Sequence, residues 1–246
     1  MKRNVRQINL ALSGLHIREA NEGEDSRIIE GHAVVFDVRS VNLVPWSSYR
    51  EVYEVMEKGS IDMDLISRSD VVLTAFHNNE KILGRSVNGK GTLRMSIDDK
   101  GLFISCELAR TQTGDDMLEL IKRGDVSGMS FCYTCDEDDS ENGVSYEKME
   151  QRTADGKEVW IRHVKRCNGL YDVTIAGHPA YQQTDIAQRE LGEEILKRLP
   201  SEGEEEKREE DEADKQKRER EEKFTRERTL AYYQRETEIL EQENGI

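Results

Sequence analysis

Ser130, His77 and Asp172 are among the residues of this chain whose types and settings could carry out acid–base and nucleophilic chemistry. Ser130 follows Lys122-Arg-Gly-Asp-Val-Ser-Gly-Met129, a helix-ending signal with two glycines, and opens a strand-like alternation. Such punctuation would hold one hydroxyl at a fixed, exposed corner, and the reading is of a nucleophile. A serine hydroxyl attacks only when a base takes its proton and donors stabilise the oxyanion. His77 and His178 are the histidines placed where a strand ends. His16, His32 and His163 lie inside strand-like alternations that suit structural roles. Asp172 sits between Tyr171 and Val173 in an apolar run. A carboxylate there is unfavourable unless it is partnered, so it either faces outward or orients an imidazole. Ser127 is a rival nucleophile close upstream. No Gly-X-Ser-X-Gly elbow occurs around Ser130, so an α/β-hydrolase is not indicated.

Cys132-Tyr-Thr-Cys135 and the later His163 and Cys167 offer a second chemistry, a zinc site. Strand geometry weighs against it, because Cys132 and Cys135 would project to opposite faces of one strand. The expectation is of no metal and no cofactor.

The elements that must position these groups follow from pattern. Arg27–Phe36, Glu51–Met56, Asp70–Phe76, Glu158–Val164 and Leu170–Ile175 read as strands. Gly31 within the first marks a bulge or a close backbone approach. Gly91–Ile97 and Leu102–Leu108 alternate around the turn at Asp98–Gly101 and form a hairpin. Thr113–Gly124 changes period: Met117, Leu118, Leu120 and Ile121 fall at helical spacing, acids open it, Lys122 and Arg123 close it, and Gly124 stops it. Many short strands around one clear helix predict an α+β, mainly antiparallel and barrel-like domain.

Composition divides the chain. Residues 201–246 carry 17 acidic and 10 basic side chains and have little to bury, while the preceding 200 carry 34 and 26. The expected organisation is one domain over 1–190 and a charged, helical or disordered tail over 191–246. Glu194, Ile195, Leu196 and Leu199 would pack a short helix before Pro200. A net charge of −15 argues against nucleic acid as a partner. No apolar run follows the basic N-terminal residues, so neither a signal peptide nor a membrane span is expected. Four scattered cysteines do not suggest a secreted disulfide framework, and the chain reads as cytosolic.

Residues 28 to about 186 resemble the caudovirus prohead serine proteases, which are distantly similar to the herpesvirus assembly proteases. The resemblance rests on pieces in family order: Gly31–Phe36, Tyr53–Gly59, Phe76-His-Asn-Asn79 with Leu83-Gly-Arg85, Gly91–Leu93 with Asp99–Leu102, Gly124–Tyr133, and Tyr171–Ile175 with Pro179-Ala-Tyr181. It implies His77 as general base, Ser130 rather than Ser127 as nucleophile, and Asp172, where the family often has glutamate, as the third member. Cys132 stands in place of a glycine. The implied function is a serine endopeptidase of capsid maturation that cleaves scaffold, or the scaffolding segment of the major capsid protein, and itself, inside the prohead in the host cytoplasm. The herpesvirus relatives act as dimers, so a homodimer is compatible with the resemblance. The alternative is a non-catalytic scaffolding protein that keeps the protease fold.

Overall fold

The computed structural model describes residues 4–7, 10–19, 26–176 and 186–200. In chain order the elements are β1 (Asn4–Gln7), α1 (Leu10–Ser13), β2 (His16–Ile17), β3 (Ile28–Val35), β4 (Arg50–Met56), α2 (Met63–Ser67), β5 (Asp70–Ala75), β6 (Asn78–Val87), β7 (Lys90–Gly91), β8 (Leu93–Ile97), β9 (Gly101–Glu107), α3 (Gln112–Arg123), β10 (Gly128–Cys135), β11 (Val144–Lys148), β12 (Glu158–Val164), β13 (Cys167–Ala176) and α4 (Ile186–Arg198). The strands form three sheets, ordered β1-β10-β13-β5-β6-β7, β2-β3-β9-β8 and β11-β12-β4. This is the α+β, mainly antiparallel architecture that the strand pattern predicts. Its parallel pairs are β4 with β12 and β5 with β13. Among the described residues no sheet closes on itself, so the barrel-like expectation resolves into three open sheets. The six-stranded sheet ends in β1 and β7, four and two residues long, and such short edges offer little to seal a barrel.

Local signals explain the elements that frame the site. Thr111 caps α3 by accepting from the Gly114 N–H, and Gly124 ends it at φ 77, the left-handed position that glycine adopts freely. The turn between β8 and β9 is held by Asp98, whose Oδ1 accepts from the N–H groups of Lys100 and Gly101 at 2.8 and 2.9 Å. A Cβ on Gly101 would lie 1.9 Å from the Val34 carbonyl oxygen, so only glycine lets β9 approach β3 here. The bulge expected near Gly31 lies between His32 and Val34. Within α4, Leu191 and Ile195 are buried. Sequence reasoning did not anticipate α2, β11 or the length of β6. The chain divides into two compact units, Met1–Leu196 and Lys197–Ile246. Of the tail expected over 191–246, residues 191–198 belong to α4 and residues 201–246 lie outside the described residues.

A polar cluster links the central sheet to β4 and β12. The Arg162 side chain, on β12, is fully buried. It donates to Glu54 on β4, to the Tyr133 hydroxyl at 3.1 Å and the Cys135 sulfur at 3.2 Å on β10, and to Glu137 just beyond. Removing the cation would take the Arg162 ion pair from the buried Glu54 carboxylate and leave a void in the polar cluster. Arg162→Ala should lose about 3–5 kcal/mol of stability, read from urea unfolding.

All four cysteines are buried and none is in a disulfide. Burial pushes the Cys135 thiol up to about 12 and, with Glu107 nearby, the Cys106 thiol up to about 11. Burial also raises Cys167 well above the usual range. In an unfolded chain a thiol ionises near ~8.5. Above that pH the unfolded state releases protons that the folded state keeps, so stability falls as pH rises from there toward the folded values. The urea midpoint should be lower at pH 10 than at pH 8, and the difference should narrow in Cys106→Ala.

Candidate active site

The centre of the six-stranded sheet has one apolar and one polar face. Met129 and Phe131 of β10, Val173 and Ile175 of β13, and Leu73 and Ala75 of β5 belong to the hydrophobic core. Alternation therefore turns Ser130, Asp172, Thr174 and Thr74 to the other side. Ser130 is paired with Thr174, and Thr174 with Thr74. Directly opposite residues share a face, so a row of three hydroxyl side chains crosses three strands. Asp172, two residues from Thr174, lies one step along β13 and opposite Cys132.

His77 reaches this face from a turn. Ala75 pairs with Asn78, which leaves Phe76 and His77 as a two-residue loop between β5 and β6. Both have positive φ, 58 and 54. Two-residue hairpins with positive φ at both positions favour Asn-Gly or Gly-Gly, and each non-glycine residue there is unfavourable by about 1–2 kcal/mol. The surrounding structure holds the turn in place. The Phe76 N–H donates to the Ile175 carbonyl at 3.0 Å, and the His77 N–H donates to Thr174 Oγ1 at 2.9 Å. Thr174 Oγ1 also accepts from Thr74 Oγ1 at 2.9 Å and donates to the Thr74 carbonyl at 2.8 Å. One donor and two acceptor positions use the full capacity of that hydroxyl.

The imidazole so placed lies between a hydroxyl and a carboxylate. His77 Nε2 is 2.7 Å from Ser130 Oγ, and His77 Nδ1 is 2.9 Å from Asp172 Oδ1. Asp172 can only accept from the ring when ionised, which assigns the proton to Nδ1 and leaves Nε2 to accept from the serine hydroxyl. Ser130 is 2% exposed, while the His77 and Asp172 side chains are 30% and 17% exposed. The serine is thus two residues inside β10 and buried, not at an exposed corner: strands flank it on both sides, with Gln7 and Thr174 opposite it.

The structure brings Ser130, His77 and Asp172 together and leaves the alternatives elsewhere. Ser127 precedes β10, and its carbonyl accepts from Ser13 Oγ at 3.0 Å. His32 bonds Asp98 at 2.9 Å, and His163 lies between Glu57 and Glu147 at 3.1 and 3.0 Å. His178 lies outside the described residues, as does Pro179–Tyr181. Among the described residues no group of three or more His, Cys, Asp or Glu side chains is placed to hold a metal. The zinc alternative therefore gains no support from Cys132, Cys135, His163 and Cys167. Thr74 and Thr174, which hold the histidine turn, were not singled out from sequence. Their signal was present: each is a polar residue in an apolar strand, and Thr174 shares a face with Asp172.

A hydroxyl, an imidazole and a carboxylate bonded in series are what serine hydrolases use for acyl transfer, and here they stand on a β-rich frame. The profile of the caudovirus prohead serine protease family matches residues 14–198, and the chain belongs to that family. Membership makes it a serine peptidase of phage capsid maturation, at work in the assembling capsid within the host cell. No curated protein and no solved structure matches the chain. No helix among the described residues is long and apolar enough to cross a membrane.

Replacing Thr174 by valine keeps its shape but leaves the His77 N–H and the Thr74 hydroxyl without their acceptor. Thr174→Val should lose about 1–3 kcal/mol of stability. Peptide hydrolysis should fall by up to about a hundredfold through misplacement of the imidazole, measured as kcat/KM on one peptide.

Proposed function

We propose that the chain is a serine endopeptidase in which Ser130 is the nucleophile, His77 the general base and Asp172 the group that orients the imidazole. The observation that carries this reading is the continuous row from Ser130 Oγ through His77 to Asp172 Oδ1, at 2.7 and 2.9 Å. Ser130 Oγ attacks the carbonyl carbon of the scissile peptide while its proton passes to His77 Nε2. The tetrahedral intermediate collapses as Nε2 returns that proton to the leaving amine, which departs and leaves an acyl-serine. Water then attacks the ester with His77 again as base, and the acid product leaves with Ser130 restored. Asp172 accepts from Nδ1–H throughout. It keeps the ring in the tautomer whose Nε2 lone pair faces the serine and stabilises the imidazolium between steps.

The proposed substrates are scaffold, or the scaffolding segment of the major capsid protein, and the protease itself, inside the prohead. Their support is membership of the family together with a site shaped for acyl transfer. Expression of wild type and Ser130→Ala, each with the capsid and scaffold proteins, tests the assignment on a gel. Wild type should process itself and those proteins, and Ser130→Ala should process neither. Products that persist in Ser130→Ala would remove Ser130 as nucleophile. Asp172→Asn, which keeps the shape but favours the wrong tautomer, should lower kcat by about 10⁴-fold.

A further inference from the structure

The hairpin that carries His77 also carries apolar surface that the row from Ser130 to Asp172 does not use. Seven large apolar side chains are exposed among the described residues, and three of them, Phe76, Ile82 and Val87, belong to the β5–β6 hairpin or its turn. Scattered apolar residues on a surface are ordinary, so position has to decide. Two independent observations put Ile82 on the face of Ser130. Along the ladder, Ser130 is opposite Thr174, Thr174 opposite Thr74, and Thr74 opposite Ile82, this last pair lying between two register shifts that bulge β6 at Leu83 and at 79–81. By burial, the next residue, Leu83, points into the core at 5% exposure, while Ile82 points away at 54%.

Strands in a sheet are about 4.8 Å apart, so three steps put Ile82 roughly 14 Å across the face from Ser130, about four residues of extended peptide at ~3.3 Å each. Phe76 immediately precedes His77 and is 47% exposed at φ 58. A half-exposed phenylalanine where the turn would accept glycine or asparagine more easily is backbone strain of the kind that collects at functional positions.

We propose that Phe76 and Ile82 form the specificity strip of the protease. An extended substrate crosses the sheet face from Ser130 past His77 toward β6. It lays a large apolar side chain, about three to five residues from the scissile bond, against these two residues. The proposal rests on Ser130 being the nucleophile, and the substrate is the occupant because Phe76 adjoins His77, whose side chain is 30% exposed and bonds the reacting hydroxyl; Thr174 and Thr74 beneath are fully buried, so the peptide passes over His77.

The test is cleavage-site profiling of the full chain on a pool of peptides from a cyanogen bromide digest of bacterial proteins. Wild type should enrich apolar residues at one position within that distance of the cut. Ile82→Ser and Phe76→Asn, the latter chosen because asparagine tolerates positive φ, should each lower that enrichment by about tenfold. Ile82→Val should retain it, as should Val41→Ser, an exposed apolar residue elsewhere on the chain. Cleavage by wild type without an apolar preference overturns the proposal, as does a preference that survives Ile82→Ser. If the strip is instead a contact between two copies, Ile82→Ser will reduce the mass in sedimentation and leave the preference intact, which also overturns it. Cleavage that persists in Ser130→Ala overturns the nucleophile assignment and the strip's distance from the cut with it, whereas a preference that survives Ile82→Ser, with cleavage abolished in Ser130→Ala, overturns the strip alone.

Discussion

The hydroxyl of Thr174 is the interaction on which the site depends. It joins β13 to β5 through Thr74 and at the same time anchors the backbone of His77. Two adjacent non-glycine residues with positive φ would not hold that conformation as an isolated hairpin. They do so here because the N–H groups of both are taken up by β13, on Ile175 and Thr174. The imidazole is therefore fixed by the strand that supplies the carboxylate, and a single element sets two of the three positions in the row.

That economy follows from the sheet order. β10, β13 and β5 are neighbours although they are far apart in sequence, and the parallel pairing of β13 with β5 brings the end of β5 alongside the end of β13. The apolar residues of these strands fill one face, which leaves the opposite face free for polar groups that bond one another. The buried polar residues outside the site have a different task. Arg162 ties β10 to β4 and β12 through Glu54 and Tyr133. It braces the strand that carries Ser130 from the far side without touching the row.

The sequence, read alone, determined which residues could react and much of the frame. Helix α3 was legible because caps, charges and apolar spacing agree, and β4, β8, β9 and β12 were legible from alternation. Ser130, His77 and Asp172 could be singled out because each is a chemically capable residue at a strand end or in an apolar run, and their order resembles one family. Tertiary structure alone decided that the three meet, since side-chain contacts between residues 53 and 95 apart in the chain are not encoded in local pattern. It also decided that Ser130 is buried rather than at a corner, because burial depends on the strands to either side. Thr174 passed unnoticed for the same reason: its hydroxyl matters only once β5 lies beside it.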